Sequence, residues 1–293
     1  MIRPLLLATR PKTLPAAIVP VWAGTVLAWV ISEGSWSPWL ACCTLAGAVC
    51  IQIATNLFND AIDAGKGADT ESRIGPKRVT ASGLLSSRAV MMWGVVFLLL
   101  AVGCGIILTL AAGWPILLIG IPSLFFSYGY TGGPHPLAYR GLGELFVFIF
   151  FGLVAVTGTV FVQTLEWRPE ALLLGSQIGL LSCVLISINN LRDREEDHGT
   201  GKRTLAVRLG PKPARLMIVA EIKLAALLGV GWILFGHPLL TLSVLPLLIL
   251  GMRLSWSALT EPEGPRMNRM LAVSALQLVA FAGMFHLLAT IPG

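Results

Sequence analysis

The sequence predicts an all-α integral membrane protein of about nine transmembrane helices in a single domain over residues 1–293, and three observations carry that expectation. Only 12% of the 293 residues are charged while 55% are hydrophobic. A soluble domain carries about 25% charged residues, so this chain could not cover a water-facing surface. Apolar runs near the length a bilayer demands, about 20 residues, recur from end to end. Lipid admits only helices or closed barrels, and the sequence lacks the short alternating segments of a barrel.

The spans follow in order. The first, 14–31, comes after Arg3, Arg10 and Lys12. A cleaved signal peptide opens similarly, but this run is long and further spans follow, so it reads as a retained helix. The second, 39–62, ends in Asn56-Leu-Phe-Asn-Asp60-Ala-Ile-Asp63. The third and fourth, 89–112 and 114–131, are split by Gly113-Trp114-Pro115, a tight helix–helix turn. The fifth, 143–164, opens on Glu144, where a helix N-terminus favours a carboxylate. The sixth, 171–191, runs into Asn189-Asn-Leu-Arg-Asp193-Arg-Glu-Glu-Asp197. Gly236-His237-Pro238 separates the seventh, 214–236, from the eighth, 238–257, and the ninth covers 268–290. The cysteines Cys42, Cys43, Cys50, Cys104 and Cys183 all lie inside apolar runs without metal-ligand spacing, which implies small apolar filler rather than disulfides or zinc.

Charge distribution sets the orientation. The net charge of +6 is not a nucleic-acid signature, because the bases sit in short loops between spans. With the N-terminus inside, the segments 1–13, 63–88, 132–142, 192–213 and 258–267 hold 16 of the 21 Lys and Arg residues. That asymmetry predicts a cytoplasmic N-terminus and an odd number of spans. Two of these loops, 63–88 and 192–213, are long and also acidic, which the positive-inside rule does not explain.

The acids form a repeat. Both the second and sixth spans end in Asn-x-x-x-Asp at the same side, four helices apart. This predicts two four-helix halves related by a parallel repeat, with one helix left over. Asn189, Asp193 and Asp197 are spaced to stack on one helical face, as are Asn56 and Asp60, with Asp63 one turn on. Like charges at that spacing repel, and near hydrocarbon the cost rises. A cation relieves both. The oxygen-only donor set selects Mg²⁺ or a similar hard ion, which takes one or two carboxylates and completes its shell with phosphate oxygens. Lys66, Arg73, Lys77 and Arg78 follow the first cluster, and Lys202 and Arg203 the second. Their chemistry suits phosphate, though anchoring to lipid headgroups accounts for them equally well. The whole suits a diphosphate with a lipid tail, its head at the interface and its tail along the helices. Asp69, Glu71, Glu195 and Glu196 read as solvated or capping, and Arg192 and Arg194 as partners of neighbouring acids.

The segment Tyr128-Gly-Tyr-Thr-Gly-Gly-Pro-His-Pro-Leu-Ala-Tyr139-Arg140-Gly-Leu-Gly-Glu144 is a shaped loop on the inner side and holds all three tyrosines. An interfacial aromatic belt places tyrosines similarly; their concentration beside the acidic loops favours a site role. Arg10-Pro-Lys-Thr13 precedes the first span, with Arg10 and Lys12 as candidate contacts to an acidic acceptor.

Together, Asn56-x-x-Asn-Asp60-x-x-Asp63 and Asn189-Asn-x-Arg-Asp193-x-x-x-Asp197 resemble the paired motifs of the UbiA-type intramembrane prenyltransferases. Within that superfamily, four stretches look most like the type that acts on 1,4-dihydroxy-2-naphthoate in menaquinone synthesis. They are Arg10-Pro-Lys-Thr-Leu-Pro; Asn59-Asp60 through Lys66-Gly and Arg73-Ile-Gly-Pro; Tyr130-Thr-Gly-Gly-Pro to Glu144; and Gly201-Lys-Arg-Thr-Leu-Ala-Val-Arg-Leu-Gly210. A third Asp, common in the superfamily four residues after Asp63, is replaced by Gly67, the nearest acid being Asp69. The resemblance implies a bundle around a central cavity in a bacterial cytoplasmic (inner) membrane, with its active site on the cytoplasmic side. Its substrates would be a polyprenyl diphosphate and an aromatic acid. Asn56, Asp60, Asp63, Asn189, Asp193 and Asp197 would hold two Mg²⁺ ions, with the four Asp residues catalytic. Lys66, Arg73, Arg78, Lys202 and Arg203 would contact the diphosphate; Arg10, Lys12, Tyr128, Tyr130 and Tyr139 would line the acceptor or prenyl site. Other acceptors, 4-hydroxybenzoate or homogentisate, stay open. A secondary transporter is the rival from another class, but transporter sites lie near the midplane and these acids sit at helix ends.

Overall fold

The computed structural model describes residues 2–67, 74–75 and 78–291. Arg73, Lys77, Asp69 and Glu71, singled out above, lie outside the described residues. The described residues form twelve helices that we number in chain order. They are α1 (Ile2–Ala8), α2 (Pro15–Ile31), α3 (Pro38–Gly65), α4 (Ser87–Ala112), α5 (Pro115–Gly129) and α6 (Gly143–Thr164). Then come α7 (Pro169–Arg192), α8 (Arg194–Gly199), α9 (Leu205–Leu209), α10 (Pro211–Ile233), α11 (Pro238–Thr260) and α12 (Met267–Ala289).

All nine expected spans are helical, but not all nine are long enough to cross a bilayer. Among the described residues seven helices pass by length and apolarity: α3, α4, α6, α7, α10, α11 and α12. An eighth arises if Arg3–Thr13 and Pro15–Ile31, bent by 54°, count as one span. The remaining candidate, α5, has 15 residues, short of the ~20 needed for an untilted crossing. Its helix stops earlier than the apolar pattern suggests because Gly132, Gly133 and Pro134 follow at once, and Gly133 takes a positive φ of 75°. The bend before α2 has a comparable cause: Arg10 is left-handed at φ 50°, and Pro11 and Pro15 restart the chain twice.

Helices start and stop where local chemistry directs. Ser37 caps α3 by accepting the Leu40 N–H, Ser86 caps α4 through the Ala89 N–H, and Pro opens α2, α3, α5, α7, α10 and α11. The bundle core is apolar side chains from α2, α6, α7, α10, α11 and α12, including Leu27, Leu174, Ile178, Trp232, Phe281 and Phe285. A second cluster joins α7, α10, α11 and α12, and a third joins α1, α3 and α4. Packing repeats as the motifs do: α3 lies along α4, and α7 lies along α10. The first and last long helices meet, and Trp22 donates to His286 Nδ1 at 3.0 Å, so the bundle closes.

The approach of α6 to α7 is set by glycine. A Cβ on Gly152 would lie 2.5 Å from both the Gly175 carbonyl oxygen and the Gly179 Cα. These contacts are backbone, so they cannot move aside as a flexible side chain would. Small residues let membrane helices come this close. Gly152→Ala is therefore expected to destabilise the bundle by about 1–3 kcal/mol. Thermal unfolding of the purified protein in detergent checks this; an unchanged midpoint would contradict the packing account.

Candidate active site

The two acidic helix ends meet through one side chain. At the end of α3, Asp63 is buried and accepts the Tyr139 hydroxyl at 2.8 Å through Oδ1 and Arg78 Nη2 at 3.0 Å through Oδ2. Lys66, just past the helix, donates to the Thr131 carbonyl at 2.8 Å and lies 4.1 Å from the Tyr139 ring centroid. From the other cluster, Lys202 stands 6.0 Å from the same centroid and 3.5 Å from Asp197 Oδ1. The Arg203 N–H donates to the Tyr139 carbonyl at 3.2 Å. Tyr139 thus ties motif one to motif two. Gly141 makes the crossing possible: it takes φ 69°, and a Cβ there would press to 3.0 Å from the Arg203 carbonyl.

Burial lowers the affinity of Lys66 for its proton, and Asp63 opposes that. Tyr130, half-buried, is driven the other way: desolvation first, then the negative charges of Glu144, Asp63 and Asp197, raise its hydroxyl, while Arg10 opposes. Arg10, Glu144, Asp63 and Asp197 thus all act on Tyr130.

The remaining candidates divide. Asp60 is buried, and its Oδ2 and Oδ1 accept the Val79 and Thr80 N–H groups at 3.1 and 2.9 Å, so it fixes the chain returning from the first loop. Asn56 donates to the Thr9 carbonyl (2.9 Å) and Thr13 Oγ1 (3.0 Å), which anchors the Arg10–Thr13 segment. Asn189, Asp193 and Asp197 do not sit on one uninterrupted helix. The chain leaves α7 after Arg192, and α8 starts after Asp193, although Asp193 and Asp197 each still donate their N–H four residues back. Arg192 is buried and grips Asp193 with two bonds of 2.6 Å, while also reaching Asn189 Oδ1 and Asn268 Oδ1 at 2.8 Å each. Asn268 Nδ2 in turn approaches the Ile74 carbonyl at 3.4 Å, joining the first loop to α12. Arg194 pairs with Glu263 at 2.9 Å and Glu195 at 3.5 Å, so both arginines pair with acids, as expected. Tyr128 is 44% exposed and packs edge-on against Phe58. Lys12 and the Arg203 side chain are exposed.

Sequence reasoning missed several contributors. Thr131 donates to Asn59 Oδ1, linking the Gly-rich loop to motif one. Glu144 is buried and accepts Asn190 Nδ2 at 2.8 Å, a contact hidden because Asn190 is off the face that carries Asn189. The Asn189-Asn doublet was its only signal.

These residues suit Mg²⁺ in a particular way. No three His, Cys, Asp or Glu side chains converge on one point among the described residues. Each ion would therefore draw one or two carboxylates from the protein and fill its shell from phosphate oxygens, the usual Mg²⁺ arrangement. Asp60 and Asp63 each keep lone pairs beyond the single bond per oxygen described above.

Comparison with known proteins gives the family. Residues 17–287 match the UbiA prenyltransferase family. The 1,4-dihydroxy-2-naphthoate octaprenyltransferase of Mycobacterium leprae (strain TN) is 34% identical over 279 residues, 93% of this chain and 91% of that one. The protein of the same name from Mycobacterium tuberculosis is 39% identical over 75% of this chain and 74% of its own length. A solved UbiA homolog from Archaeoglobus fulgidus bound to DMAPP and Mg²⁺ superposes with a TM-score of 0.66 over 96% of this chain and 98% of that chain, at 14% identity. That last likeness bears on the fold.

Proposed function

The chain belongs to the UbiA prenyltransferase family, and from that premise we propose that it moves a polyprenyl group from its diphosphate onto 1,4-dihydroxy-2-naphthoate. The products are demethylmenaquinol, diphosphate and CO₂. The naming of its relatives supports the acceptor. One observation supports the chemistry above the rest: both acid-bearing helix ends and both lysines gather on Tyr139.

Asp60, Asp63, Asp193 and Asp197, with help from the Asn56 and Asn189 amide oxygens, would hold two Mg²⁺ ions. When bound, Mg²⁺ neutralises the charge that builds on the diphosphate as the allylic C–O bond breaks. Lys66, Lys202 and Arg78 add cationic contacts to the same oxygens; Arg203 extends them from its loop, and Arg73 stays a candidate on sequence alone. The diphosphate leaves with the electron pair, and the apolar bundle keeps water from the allylic cation. Tyr139 and Tyr130 offer π faces to that cation. The electron-rich ring forms the new C–C bond. Loss of its carboxylate as CO₂ returns the electron pair to the ring. Arg10 holds the acceptor carboxylate; Tyr128 and Lys12 stand at the periphery. The basic inner segments support a cytoplasmic site in a bacterial inner membrane.

The test is purified protein, Mg²⁺, labelled polyprenyl diphosphate and a panel of aromatic acids. Prenylated product and CO₂ are expected with 1,4-dihydroxy-2-naphthoate and not with 4-hydroxybenzoate or homogentisate. Chelation by EDTA is expected to stop turnover, and added Mg²⁺ to restore it. Equal product with and without EDTA would refute the metal role; product only with another acid would refute the acceptor.

A further inference from the structure

At the same end of the bundle as the acids, α11 and α12 leave a cavity of about 370 Å³ between them. It belongs to neither motif. Arg253, Ser257 and Glu261 line it from one side, spaced as successive turns of one helical stripe. Arg266 and Arg269 line it from the start of α12, over a floor of buried Leu254 and Met270. Three arginines thus face one acid. That acid is occupied: Glu261 pairs with Arg266 at 3.4 Å, and its carbonyl accepts Arg215 Nη1 at 2.7 Å. Arg253 and Arg269 have no side-chain hydrogen bond or ion pair among the described residues. Two unneutralised guanidinium groups facing one cleft repel unless an anion lies between them.

The surface leading out of the cleft is apolar. On α11, Ile249, Met252 and Trp256 are 72%, 65% and 71% exposed, and on α12 Leu276 is 55% exposed. In a spanning bundle that surface meets lipid, with Trp256 at the depth that tryptophan favours, the headgroup boundary. A ligand that fills both regions has a phosphate for the arginines and acyl chains for the helix faces.

We infer that the α11–α12 cleft is a binding site for an anionic glycerophospholipid, its phosphate held by Arg253 and Arg269. Arginine supplies the planar fork that phosphate oxygens match, and basic pockets between spans on one leaflet recognise acidic headgroups by this chemistry. The site is independent of the transfer reaction.

The test uses the full chain in detergent, titrated with dioleoylphosphatidylglycerol or dioleoylphosphatidylcholine, with bound lipid counted by native mass spectrometry. The wild type is expected to retain the anionic lipid preferentially. Arg253→Ala/Arg269→Ala is expected to weaken that retention by roughly tenfold to thirtyfold. The charge-matched pair Arg88→Ala/Lys212→Ala, exposed at the ends of other helices, should leave it within about twofold, as screened surface charge does. Equal loss in both pairs would show diffuse attraction and overturn the site. Displacement of the lipid by millimolar inorganic phosphate would show a soluble-anion pocket and overturn the lipid assignment. Should the alanine pair unfold, Arg253→Lys/Arg269→Lys keeps the charge and removes the fork; undiminished retention there would overturn the role of the forks.

Discussion

Asp63→Asn is expected to lower turnover by roughly a thousandfold while the protein stays folded, the scale of losing one preorganised contribution to charge stabilisation. The choice of asparagine matters. Asp63 bonds to both Arg78 and Tyr139 in a buried setting. Removing the side chain altogether, as Asp63→Ala does, takes the carboxylate from a buried guanidinium, and breaking such a pair costs about 3–5 kcal/mol. Lost activity in Asp63→Ala could then reflect lost structure. Asparagine also removes the charge but keeps the volume and one acceptor oxygen, so it is expected to lose less stability than alanine; a variant that still unfolds cooperatively with turnover a thousandfold down isolates the charge. The loss should persist at saturating Mg²⁺. Near-normal turnover under those conditions would remove Asp63 from the metal site.

The second large effect concerns Asp193, which Arg192 grips from the adjacent position. Asp193→Asn is also expected to cost roughly a thousandfold in turnover. Arg192 retains Asn189 and Asn268 as partners in that variant, so the helix junction should hold. Arg192→Gln provides the contrast. It loosens Asp193 but leaves the carboxylate able to bind a cation, so the expected loss is that of a hydrogen bond to a charged group, about tenfold to a hundredfold. The order of the two losses is the measurement. If both variants fall equally, the pair serves only to brace the junction, and Asp193 is not a ligand.

Much of this is legible in the sequence. The paired clusters stood out because carboxylates at helix ends beside hydrocarbon are costly unless something neutralises them. The Gly-rich segment was legible as a shaped loop beside them. What each side chain touches was not. All three tyrosines of that loop had equal claims, yet Tyr139 and Tyr130 enter the site while Tyr128 packs on Phe58 at the surface. Asp60 and Asp63 share a motif but differ in partners: backbone N–H groups for one, a guanidinium and a phenol for the other. A spacing rule places both on neighbouring turns and cannot see a loop returning 19 residues later. The spacing of Asn189, Asp193 and Asp197 puts all three on one helical face, and the junction after Arg192 divides that helix.

Composition and spacing along the chain set the solvent this protein lives in, the helical class, the positions of the long helices and the acids at their ends. Those follow from local constraints: in lipid each backbone polar group must be satisfied within its own helix, and apolar length sets the span. The tertiary structure alone decided that α5 is too short to cross unaided, that Tyr139 joins the two motifs, and that α11 and α12 leave an arginine-lined cleft. Those depend on loop torsions such as the left-handed Gly133 and Gly141. They also depend on glycine-permitted helix approach at Gly152. Both bring together residues distant in the chain, which no periodicity along it encodes.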